Sequence, residues 1–171
     1  LPRGTRAFRY RPGYLPGGTV PSRREDAFQS LWDRLPQGLF HLLDESRCEP
    51  VHEFAVKALK SNRALLARLD VDVVAMMLGA PYAVTSLLGL ELAERLISAG
   101  RPQPALILAA SRSPSDEVRS RACEWLDLHR TLYLQDGALF GELMVSPHED
   151  IRWYVREILD VSPLPEEVGR A

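Results

Sequence analysis

Apolar residues recur along the chain with the spacing of a helix face, and the same face returns four times. Segments opening at Val51, Val84, Val118 and Ile151 carry apolar residues four positions on, at Ala55, Leu88, Ala122 and Val155, and eight positions on, at Leu59, Leu92, Leu126 and Leu159. A set at i, i+4 and i+8 is one stripe of an α-helix, so each segment predicts a long amphipathic helix. Their openings stand 33, 34 and 33 residues apart. A second helix follows in the same rhythm, announced by Asp70, Gln103 and Asp136 at intervals of 33. An aspartate there can accept a hydrogen bond from the free N–H groups of a first helical turn. After these positions come Val73, Val74 and Met77; Leu106, Ile107 and Ala110; and Leu139, Phe140 and Leu143. Each unit then stops at Ala80-Pro81, Ser113-Pro114 or Ser146-Pro147, since proline cannot continue the preceding helix.

A helix pair with one apolar face buries it by stacking on the next pair. The pattern therefore predicts an all-α fold, an α-solenoid of about four to five antiparallel helix-pair repeats. The repeats occupy 47–160, divided at 47–79, 80–112, 113–145 and 146–160. Residues 22–46 read as N-terminal capping helices, with Ser22 capping a helix that carries Phe28, Leu31, Trp32 and Leu35, then Pro36 and an apolar run over 39–43. Residues 1–21, with Gly4, Gly13, Gly17, Gly18 and four prolines, read as an extended arm or linker, and residues 161–171 as a tail broken by Ser162-Pro163-Leu164-Pro165. A chain opening on Leu1 and closing on such a tail is expected to be a piece of a longer protein.

Composition narrows the class without changing the picture. With 46% hydrophobic and 26% charged residues, the chain lies outside the range of disordered sequences. Its longest apolar stretches, such as 71–81, fall short of the roughly 20 residues that span a bilayer, and no leader opens it. A soluble cytoplasmic protein is expected. Cys48 and Cys123 are too few for a disulfide framework. The net charge of −2 hides a split: residues 1–24 hold six arginines and no acid, leaving 15 basic against 23 acidic side chains in the rest.

The third and fourth units resemble the HEAT-type helical repeat family. Ser113-Pro114-Ser115-Asp116-Glu117-Val118-Arg119, then Ala122 and Leu126, is similar to that family's proline, acidic turn, Val-Arg, Ala and Leu pattern, and Ser146-Pro147-His148-Glu149-Asp150-Ile151-Arg152, then Val155 and Leu159, is a looser copy. The first two units place His52 and Thr85 where Arg119 and Arg152 stand, so an Asp/Arg ladder is not expected there. The resemblance covers 47–160 and implies the stacked-helix fold. The chain also resembles the helical-repeat regions of large bacterial proteins known as molybdate metabolism regulators, some with a WGR domain. No WGR tripeptide occurs here.

Candidate chemistry is sparse. Cys48 and His52 stand i, i+4, but His41 completes no zinc set with them, and a half-buried Cys beside a surface His is the expected arrangement. No nucleophile elbow, phosphate loop or metalloprotease helix is found. Neither a catalytic residue nor a cofactor or metal is expected, and the segment reads as non-enzymatic. If the second helices line an inner face, their outward positions include Val71, Met76 and Leu108 with the two acids Asp72 and Glu142 and no base. This suits a protein partner, or neighbouring domains of the parent chain, better than DNA. Trp153 flanked by Arg152 and Arg156 is a second candidate contact site. Arg6, Phe8, Arg9, Tyr10 and Arg11 interleave base and aromatic, which suits nucleic acid, so the alternative is a nucleic-acid-associated protein using this arm. A DNA glycosylase-like enzyme is a third reading, by analogy of fold alone. The leading expectation is a protein-interaction or scaffold module of a larger bacterial protein, regulatory in role.

Overall fold

The computed structural model describes residues 24, 26–98 and 103–161. Among the described residues the chain forms eleven helices and no strand: α1 (Gln29–Arg34), α2 (Gln37–Glu45), α3 (Glu49–Ser61), α4 (Arg63–Leu66), α5 (Val71–Leu78), α6 (Ala83–Ser98), α7 (Pro104–Ser111), α8 (Asp116–Leu128), α9 (Arg130–Tyr133), α10 (Gly137–Met144) and α11 (Glu149–Val161). Short helices alternate with long ones. Each short helix packs on the long helix that follows it: α2 on α3, α5 on α6, α7 on α8 and α10 on α11. The short helices also touch one another in the order α2, α5, α7, α10, and the long ones in the order α3, α6, α8, α11. The core lies between, with Leu59, Met77, Leu88, Leu106, Leu126 and Leu143 fully buried.

The short helices begin where the 33-residue rhythm placed them, with Asp70, Gln103 and Asp136 at the N-caps. Only Asp136 caps with its side chain, accepting from Leu139 N at 3.0 Å. The other two hold the extended cap backbone without that bond.

The long helices correct the sequence register by one residue. They open at 49, 83, 116 and 149, so the 34-residue step lies between the first and second units. In-line positions are then Val51, Thr85, Val118 and Ile151; Ala55, Gly89, Ala122 and Val155; and Leu59, Ala93, Leu126 and Leu159. Thr85, Gly89 and Ala93 are buried, and so are Leu88 and Leu92 of the expected stripe, while Val84, like Val51, is half-buried. The sequence pattern favoured Val84 because Thr85 and Gly89 carry no large apolar group. Gly89 is required by contact: a Cβ there would lie 2.8 Å from Leu78 N and 2.9 Å from Met77 Cβ. Its hydrogen lets α6 pass against the end of α5.

At the N-terminal end the expected apolar face is largely unburied. Phe28, Leu31 and Leu35 are exposed, and Trp32 alone packs, edge-on to Phe54 with ring centroids 5.5 Å apart. Six residues of α1 are too few turns to lay a full stripe on the core. Ser22, the arm residues Arg6, Phe8, Arg9, Tyr10 and Arg11, and the tail 162–171 lie outside the described residues.

Candidate interaction surface

Two concavities open along the row of short helices. Between α2 and α5 a cavity of about 480 Å³ is lined by Phe40, His41, Asp44, Asp72, Val73 and Met76. Between α7 and α10 a second, of about 220 Å³, includes Pro104, Ala105, Leu108, Ala138 and Glu142 in its lining. Both have apolar floors because each short helix turns its i, i+3, i+4 stripe to the core and leaves the adjoining residues at its flank. Of the residues expected to face outward here, Val71, Met76 and Leu108 are half-buried and packed on the core. Met76 and Leu108 enter the linings of different cavities, and Val71 enters neither lining. Glu142 is engaged by Arg112 at 2.5 Å.

The other candidate residues lie on α11. Trp153 is 59% exposed. Arg156 is exposed, and Arg152 is half-buried with Nη1 donating to the Ser146 carbonyl at 2.6 Å. The structure does not bring this trio together with Met76 or Leu108 in either cavity lining.

A feature missed in the sequence fixes the turns that open three of the long helices. The turn before three of the long helices uses a serine whose Oγ accepts the N–H two residues on: Ser46 from Cys48, Ser113 from Ser115 and Ser146 from His148. Six residues beyond each serine, a nitrogen donates to that serine's carbonyl: His52 Nε2 at 3.1 Å, Arg119 Nη1 at 3.0 Å and Arg152 Nη1 at 2.6 Å. The recurrence of a base six residues after Ser46, Ser113 and Ser146 was the available signal. In the second unit Ala80 and Ser86 stand at the corresponding positions, and Ser86 Oγ donates to Ala83 O instead.

Two of these clamps also reach the next unit. Arg119 is 8% exposed; it donates through Nη2 to Asp116 at 2.6 Å and through Nε to Asp150 of α11 at 2.8 Å. Burial disfavours its charge, but the two carboxylates outweigh it and hold the guanidinium above its ordinary value. Burial likewise disfavours charge on Asp150, yet Arg119 and the Ile151 N–H keep its carboxyl below the usual range. His52 is fully buried, which reverses the expected surface position, while Cys48 is exposed. A carbonyl only accepts, so His52 Nε2 donates to Ser46 O, and Nδ1 is hydrogen-bonded with Thr85 Oγ1 at 2.8 Å in the neighbouring unit. Tyr82 stacks obliquely on the ring at 4.6 Å. No group of three or more His, Cys, Asp or Glu able to hold a metal occurs among the described residues.

Cys123 is half-buried on α8, and burial pushes its thiol up to about 11. Arg24, counted above among the six arginines of residues 1–24, belongs to the folded body: it pairs with Asp26 at 2.8 Å and Asp33 at 2.6 Å, and reaches Ser61 Oγ at 2.7 Å.

The class these features define is an all-helical protein of serially packed helices, in which no helix among the described residues is long and apolar enough to cross a membrane. Comparison with family models, curated proteins and solved structures found no match to the chain.

Proposed function

We propose that the chain is an α-solenoid of HEAT type, with about four to five antiparallel helix pairs including N-terminal capping helices, acting as a non-enzymatic interaction module of a larger, cytoplasmic bacterial protein. The observation that carries this reading is the open row of short helices, whose apolar cavities beside Met76 and Leu108 are edged by Asp44, Asp72 and Glu142. The serial contacts of α2, α5, α7 and α10, and of α3, α6, α8 and α11, support a stack that grows by addition of pairs. Such a stack presents a long rigid surface to a protein partner or to neighbouring domains. Asp44 and Asp72 at the first cavity disfavour phosphate, whose affinity comes from clustered Lys and Arg, and at the second Glu142 is paired with Arg112. A regulatory role follows from the resemblance to the large bacterial regulators.

The test uses the chain as bait in an extract of its source cells, beside Met76→Glu and Leu108→Glu variants. A protein retained by the unaltered chain and lost from both variants, at unchanged melting temperature, is the expected result. Retention indifferent to both substitutions, or substrate turnover by the purified chain, would sink the reading.

A further inference from the structure

Positions buried inside the stack come to the surface on its last described pair. Leu78 of α5 and Ser111 of α7 are fully buried, but Met144, which holds the same place in α10, is 55% exposed. Ala93 of α6 and Leu126 of α8 are buried, while Leu159 of α11 is only half-buried. The units carrying Leu78, Ser111, Ala93 and Leu126 each have a following unit packed on them. The same contrast appears in the clamps. Arg119 is held by the Ser113 and Pro114 carbonyls and Asp116, and spends its Nε on the acid of the following unit, Asp150. Arg152 has the matching anchor on the Ser146 carbonyl. Among the described residues no acid meets it.

We propose that the outer face of α10 and α11, made by Met144, Arg152 and Leu159, docks a further helix pair whose long helix carries a carboxylate in the register of Asp150. The occupant is a protein partner bearing that pair. Charge complementarity and continuity with the seam between α8 and α11 define it: an apolar short helix seats against Met144, and the acid at the opening of the long helix takes the guanidinium nitrogens of Arg152 that meet no acid among the described residues. A hydrogen-bonded ion pair at a seam closed by apolar contact gives register as well as affinity.

This inference rests on the stacked-pair reading, and its experiment separates the two. The probe is a fluorescent peptide of residues 137–161, itself a short and long helix with Asp150 in register, titrated into the full chain. Saturable binding is expected, weakened at least tenfold by Arg152→Ala in the chain or by Asp150→Asn in the peptide, with the second change adding nothing to the first. Four results overturn the proposal: no binding; binding indifferent to Arg152→Ala; binding abolished by Arg119→Ala alone, which would mean that the peptide displaces α10 and α11; or a concentration-dependent dimer removed by Arg152→Ala, which would make the occupant a second copy. A double-mutant cycle on Arg119 and Asp150 within the chain tests the stack itself. Intact coupling there without Arg152-dependent binding sinks this proposal and leaves the stack standing.

Discussion

At position 89 a hydrogen is the largest side chain that fits, because the backbone of Leu78 and the Cβ of Met77 stand where a methyl group would go. Gly89→Ala must separate α5 from α6 and is expected to cost about 1 to 3 kcal/mol, the range for overpacking; chemical denaturation measures it, and a variant as stable as the parent would show that the two helices part freely. The cysteines differ for an equally local reason. Cys48 is exposed at the cap of α3, whereas Cys123 is half-buried with its thiol raised to about 11 by loss of solvent. A disulfide reagent at pH 8 should label Cys48 at least tenfold faster than Cys123 in the native chain, since the thiolate is the reacting form. Equal rates would place Cys123 in contact with water.

Elements were legible in unequal degree. The short helices announced themselves through Asp70, Gln103 and Asp136, and their starts fell where the rhythm put them. Position and mechanism separate here, because Asp136 alone makes the capping bond. Asp136→Ala should therefore cost about 1 kcal/mol, while Asp70→Ala should cost under about 0.5; equal losses in thermal unfolding would contradict this. In the second long helix Leu88 and Leu92 of the expected stripe are buried, but the helix opening puts Thr85 and Gly89, which give no apolar signal, in line with the other units, one residue beyond Val84 and Leu88. Burial in α6 is decided by close approach and by the Thr85 bond to His52, and neither contact can be seen in the residues of α6 alone. The candidate site divided similarly. Helix spacing placed Met76 and Leu108 facing outward, but both are half-buried against the core, and their place in separate cavities depends on how neighbouring helices pack. The serine clamps join a turn to a side chain six residues away, a distance outside the periods by which helices are recognised.

At the scale of the molecule, polar contacts between long helices lie over an apolar core among the described residues: His52 to Thr85 joins α3 to α6, and Arg119 to Asp150 joins α8 to α11. The Arg119 to Asp150 pair gives the fold a definite acid sensitivity. The folded Asp150 carboxyl titrates below its unfolded value of about 4. A depressed folded value stabilises the native state above the unfolded pKa, and that contribution is lost as the pH falls through the folded value. Asp150→Asn should lower the melting temperature at pH 7, and the gap to the unaltered chain should close as the pH falls through the lowered folded value of Asp150. A gap that persists once the carboxyl is protonated would mean that Asp150 contributes through something other than its charge.

The 33-residue step between the later units also has a consequence for how such a chain changes length. A single inserted residue inside a long helix turns everything beyond it by about 100°, carrying the buried stripe to the outside. Removal of residues 113–145 as a block would instead join Arg112 to Ser146, a serine-proline turn of the same kind, with every later residue still facing as before. In the proposed stack, a change of length is absorbed in whole units and rejected within a long helix, and the one extra residue of the 34-residue first step falls between the openings of α3 and α5.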